Sequence, residues 1–127
     1  MQTTPSMTEL VEAVKHFIDE TAAPNLEGHA SFHARIASNV LSIVLREMDQ
    51  GANAEGDEIK RLQALLPDMP AQTGEHLNAA LCSEIASGKL TPETAGLLTH
   101  LKTTAIAQLK IDQPHYSGLM TALETSK

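Results

Sequence analysis

The sequence predicts an all-α fold, a compact bundle of five or six helices with a long central helix at about residues 28–49. Three observations lead there. Leu, Ile, Val, Ala and Met supply almost all of the 42% hydrophobic content, and the aromatics are Phe17, Phe32 and Tyr116. Such residues pack helix on helix, whereas strands favour aromatic and β-branched types. Apolar residues also recur at steps of three and four, and no stretch alternates with the period of two of a half-buried strand. Finally, residues typical of helix ends stand where those apolar stripes stop. With 127 residues the chain reads as a single domain over 1–127, long enough to bury a core without a disulfide or a structural metal.

The first helix begins at Ser6, where Ser6 and Glu9 have capping-box spacing, and carries Leu10, Val14, Phe17 and Ile18 on one face until Ala23-Pro24-Asn25. In the second helix, Gly28 to Asp49, the residues Phe32, Ile36, Ala37, Val40, Leu41, Ile43, Val44, Leu45 and Met48 cover about 220° of the circumference. A helix apolar over that much of its surface is expected to be surrounded by others, with Val40 and Val44 among its least accessible residues. The run Gly51-Ala-Asn-Ala-Glu-Gly56 reads as a linker to a short helix near Asp57–Leu66, with Ile59, Leu62, Leu65 and Leu66 inward. After a loop over Pro67–Thr73, a helix near Gly74–Ser87 carries Leu77, Leu81 and Ile85 and stops at Gly88, a C′ glycine. The next starts at Thr91-Pro92-Glu93, a capping residue, a first-position proline and a first-turn acid. Its stripe is Leu97, Leu98, Leu101, Ala105 and Leu109, and Pro114 prevents it from continuing. A short final helix over Tyr116–Glu124 carries Leu119, Met120 and Leu123.

A formal net charge of −7, with nine scattered basic residues against 16 carboxylates, excludes nucleic acid as the expected main partner. The same balance disfavours an anionic membrane surface. No segment has the roughly 20 apolar residues of a membrane span, and the N-terminal MQTTPSMTEL lacks the basic and apolar regions of a secretory signal. The lone Cys82 has no internal partner. A cytoplasmic location is the expectation.

Candidate sites are few. His29 and His33 share a helix face, but Ala30 stands where a zinc protease helix has glutamate, and no further ligands are identifiable. Buried or helix-end histidines without metal are expected. The acidic stretch from Asp49 fails as a calcium loop, with Ala54 at its sixth position and Lys60 at its twelfth. Cys82 falls mid-helix with no activating base nearby in sequence, which reads as a buried, inert thiol. Phosphate-cradling glycine loops and nucleophile elbows are absent, so neither a cofactor nor a catalytic residue is assigned. Arg35, Asn39, Ser42 and Arg46 form a polar strip at i, i+4, i+7 and i+11. Such a strip suits an anion or a partner's carboxylate, or else an internal ion pair, for which Asp112 is the expected partner of Arg35. Tyr116, bulky in an aromatic-poor chain, is expected to fill a groove with its hydroxyl bonded.

Three segments carry a resemblance: Phe32-His-Ala-Arg-Ile-Ala-Ser-Asn39, Leu77-Asn-Ala-Ala-Leu-Cys82 through Gly88, and Leu109-Lys-Ile-Asp-Gln-Pro-His-Tyr116. In this order the chain resembles, from about Thr8 to Tyr116, a bacterial family of small helical domains of unknown function. Members are associated with aminoglycoside-phosphotransferase-like kinases and acyl-CoA dehydrogenases. His33, Arg35, Asn39, Asn78, Asp112 and Tyr116 match that family's pattern. The resemblance implies a role beside such enzymes rather than their chemistry.

The leading expectation is therefore a non-catalytic accessory domain that binds a protein partner, a phosphotransferase-like kinase. The rival is a small enzyme or anionic-ligand-binding domain with a pocket around His33, Arg35, Asn39, Asp112 and Tyr116. A homo-oligomer whose interface uses the broad apolar arc of residues 28–49 is a third.

Overall fold

The computed structural model describes residues 4–70 and 73–125, and among them it contains helices and no strand. Five α-helices follow in order: α1 (Met7–Phe17), α2 (Gly28–Leu65), α3 (Gly74–Ala86), α4 (Leu97–Asp112) and α5 (Ser117–Thr125). The chain divides into two compact units, Met1–Gln50 and Gly51–Lys127, with the 38 residues of α2 running from the first into the second.

In the first unit the predicted capping box forms. The Glu9 amide donates to Ser6 Oγ at 3.1 Å, and the Ser6 amide donates to Glu9 Oε1 at 3.2 Å, satisfying two otherwise orphaned donors. Beyond Phe17 the chain continues through a π-helical turn, Ile18–Ala22, and a 3-10 turn, Ala23–Asn25, in which Pro24 suits an early helical position. Two polar contacts then fasten the first turns of α2: Ser38 Oγ donates to Asp19 Oδ1 at 2.5 Å, and Ser31 Oγ donates to the Ala23 carbonyl at 3.4 Å. Asp19 is itself held by Lys15 of α1, whose Nζ donates to Oδ2 at 2.7 Å. Ser38 is the one buried residue among the described residues of this unit. Its apolar side chains stay at least partly open. Phe32 is 59% exposed and Val40 51%, and Met7, Leu10, Val14, Phe17, Ile36 and Val44 are exposed too. This overturns the expectation that Val40 and Val44 are among the least accessible residues of the helix. Periodicity places residues on a common face, but what covers that face is settled elsewhere in the chain or by another molecule.

The helix boundaries also need correction. The expected linker at Gly51–Gly56 is helical, so the long central helix and the short one after it are a single element. Two glycines cost a helix only about 1 kcal/mol each relative to alanine, and the good helix formers Ala52, Ala54 and Glu55 stand beside them. At the other end, α4 starts at Leu97 rather than at Pro92, because Thr91 and Thr94 close a turn of their own. The Thr91 amide donates to Thr94 Oγ1, and the Thr94 amide donates to the Thr91 carbonyl, each at 2.9 Å.

The second unit holds the hydrophobic core: Leu62, Leu66, Leu77, Leu81 and Leu97, flanked by Ile59, Leu65, Met69, Ala80 and Leu90. Leu62 and Leu77 are completely inaccessible. Asn78 Nδ2 donates to Glu58 Oε1 at 2.8 Å, joining α3 to α2 beside this core. Gly88 is left-handed at φ +82° as expected for a C′ residue, and its amide donates to the Ile85 carbonyl at 3.1 Å. In α4 the inward residues are Leu97, His100 and Ile111, with Thr104 and Ala107 half-buried. Of the expected stripe, Leu97 is buried and Leu109 half-buried, whereas Leu98, Leu101 and Ala105 are exposed. α4 and α5 pack together, with Leu119 buried.

Candidate functional site

The start of α4 is chemically unusual. Its N-cap is Gly96, left-handed at φ +87°, which contributes no side chain to satisfy the first amides. The first helix bond there runs from the His100 amide to the Gly96 carbonyl at 2.9 Å. The Leu98 and Thr99 amides lie ahead of it and have no acceptor among the described residues.

His100 sits one turn in and is 2% exposed. It is held from α2: Arg61 Nε donates to His100 Nδ1 at 3.1 Å, and Arg61 Nη2 donates to Thr104 Oγ1 at 3.0 Å. Because Nδ1 accepts, the imidazole is neutral with its proton on Nε2. Burial lowers its pKa below the ordinary histidine value, and the adjacent Arg61 charge lowers it further, against a smaller opposing pull from Glu58. Arg61 and His100 open with Thr99 on a cavity of about 310 Å³, whose other walls come from Ala64, Leu65, Ala95 and Gly96. The site thus offers a fixed positive charge, a neutral N–H donor, and the hydroxyl and bare amide of Thr99, together with the apolar Ala64, Leu65 and Ala95.

Sequence reasoning misses this site. His100 and Thr104 stand in helical register with Leu97 and Ile111, a polar pair on an apolar face that marks a buried network. Arg61, however, is 39 residues from His100, and nothing local joins them.

The residues singled out from sequence are placed differently. His33, Arg35 and Asn39 belong to the first unit, Asp112 and Tyr116 to the second, and all five are exposed. Arg35 and Asn39 share a face of α2 at i and i+4, whereas His33 points well round the helix from both. The His33 ring instead lies 6.4 Å from that of His29 and 5.9 Å from that of Phe32. Both histidines are exposed in the first two turns of α2, the helix-end rather than the buried placement. Asp112, the expected partner of Arg35, accepts from Gln108 Nε2 at 2.8 Å. Tyr116 does not fill a groove with its hydroxyl bonded; its half-exposed ring lies over Gly118, where an added Cβ would stand 2.8 Å from Cζ. Cys82 is exposed rather than buried. Among the described residues no three or more His, Cys, Asp or Glu side chains gather as metal ligands, and no helix is long and apolar enough to cross a membrane.

No curated protein and no solved structure matches the chain. One family model does, over residues 24–116, a span that includes Arg61, Asn78 and His100 and leaves out α1. The chain is a member of that family, described as a domain of unknown function, DUF6285.

Proposed function

We propose that the chain is a cytoplasmic, non-catalytic accessory domain that binds a protein partner through the outer face of α2. One observation carries the reading. Phe32, Ile36, Val40 and Val44 recur every four residues and are all exposed, on the side of α2 roughly opposite Ser38 at about 100° per residue. Ser38 marks the side fastened to Asp19. A contiguous apolar stripe on a helix already anchored along its other side is the usual form of a docking face. The enzyme we propose as partner is a phosphotransferase-like kinase, as the family resemblance implies. The rival pocket around His33, Arg35, Asn39, Asp112 and Tyr116 has less support, since none of these residues lines the cavity beside His100.

The test is co-purification of the chain with a phosphotransferase-like protein encoded beside it, comparing wild type with Val40→Glu. Retention by the wild type and loss on substitution, with helical content unchanged by circular dichroism, is the expected result. Equal retention would overturn the docking face. Dimerisation of the isolated wild type in light scattering, abolished by the same substitution, would assign the face to a second copy instead.

A further inference from the structure

We propose that the cavity between α2 and the start of α4 is a binding site for a small carboxylate with an apolar body, read by Arg61, His100 and the first amides of α4. This site is independent of the docking face on α2. Four features converge on it. Arg61 spends Nε and one Nη2 hydrogen on His100 and Thr104, which fixes the guanidinium in place and leaves Nη1 without a hydrogen-bond partner among the described residues. A guanidinium held by two such bonds is pre-organised for an anion and gives up little further freedom on binding.

His100 is the second, separate indication. It is almost wholly buried, yet only Nδ1 is bonded, so its Nε2–H is a donor on a side chain that lines the cavity. Every fully enclosed side-chain nitrogen and oxygen among the described residues has a partner, so Nε2 is not sealed away and opens on the cavity. A donor kept neutral, and fixed by an arginine rather than by a carboxylate, is suited to receive an anion's oxygen.

The third feature is the helix start, where Thr99, which lines the cavity, has a bare amide and the positive end of a 16-residue helix favours negative charge. The fourth fixes the ligand class. Beside Arg61, His100 and Thr99, the lining is Ala64, Leu65, Ala95 and Gly96, so the site matches an anionic head on a short hydrocarbon rather than a fully hydrated inorganic ion. A volume of about 310 Å³ accommodates a few carbon atoms beyond the head group.

The probes are butyrate, its uncharged isostere butyramide, and inorganic phosphate, each titrated into the full-length ¹⁵N-labelled protein. Butyrate is expected to give saturating shifts at the Gly96, Leu98 and Thr99 amides and at His100 Nε2, with butyramide at least tenfold weaker. Arg61→Gln should weaken butyrate at least tenfold. Ala64→Phe, which fills the cavity and leaves the Arg61–His100 bond alone, should do the same. An equal response to butyramide, no saturation at millimolar butyrate, or a response to phosphate without one to butyrate would each overturn the assignment. If Arg61→Gln fails to fold, the wild-type comparison of butyrate with butyramide decides the matter alone.

Discussion

Leu62 and Val40 lie on the same helix and differ in size by one methylene, yet their surroundings make them energetically unlike. Leu62 is inaccessible within the cluster of Leu66, Leu77, Leu81 and Leu97. Leu62→Ala should therefore cost about 2–5 kcal/mol through lost transfer energy and the cavity left behind. Val40→Ala, at an exposed position, should change stability by about 0.5 kcal/mol or less. Chemical denaturation of the two variants checks both figures. His100 sets a pH dependence whose sign follows from its burial. Its pKa is lower folded than unfolded, so the unfolded chain takes up the proton first as acid is added. The stability it contributes is complete above about pH 6.5 and declines as the pH falls below that value. Melting temperatures between pH 7.5 and 5 should fall in the wild type and fall less in His100→Gln. Asp19 acts in a separate window. Hydrogen bonds from Lys15 and Ser38 hold its carboxyl below the ordinary aspartate range, so its contribution is present above that range and lost as the pH falls through it.

At the scale of elements, the continuity of α2 gives a prediction opposite in sign to most substitutions. Gly56 lies inside the helix without a positive φ, and a Cβ built on it would meet nothing within 4 Å. Gly56→Ala should then stabilise the chain by about 0.5–1 kcal/mol, because the unfolded state loses freedom and the folded state gains no clash. A lower melting temperature for Gly56→Ala would mean that the helix bends or opens there. The continuity was legible in the sequence, though not in the residues that first draw notice. Leu41, Met48, Ile59 and Leu66 are spaced by 7, 11 and 7 residues, all repeats of one unbroken helix, whereas the glycines and Asn53 suggest a turn. The start of α1 and the glycine after α3 were equally readable, because capping chemistry is local. The start of α4 was not, since the Thr91–Thr94 turn competes with the helix for the same residues. The phase of α4 was lost for a related reason. Leu98 and Leu101 suggest the inner face, but Arg61 satisfies His100 and Thr104 from another helix and so lets a polar pair take the buried side.

For the whole molecule, the uneven distribution of buried apolar surface is the main physical fact. The second unit encloses a leucine core, while no apolar side chain among the described residues of the first unit is fully buried. Opening the first unit therefore exposes little additional apolar surface, and hydrophobic burial is the main force that opposes chain entropy. Its opening free energy should be correspondingly small. Hydrogen exchange on the isolated protein is expected to show fast exchange in α1 and in residues 28–50 of α2. Slow exchange is expected in residues 59–65 and across α3 and α4, where the core leucines lie. The step in protection should fall inside α2, between Gln50 and Ile59, although the helix itself is unbroken there. Protection of α1 equal to that of α4 at every protein concentration would refute this partition. Protection of α1 that rises with concentration would instead show a second copy covering the apolar stripe at Phe32, Ile36, Val40 and Val44. A partner enzyme docked on that stripe should slow exchange in residues 28–50 while leaving the leucine core unchanged, because that core is already closed without it.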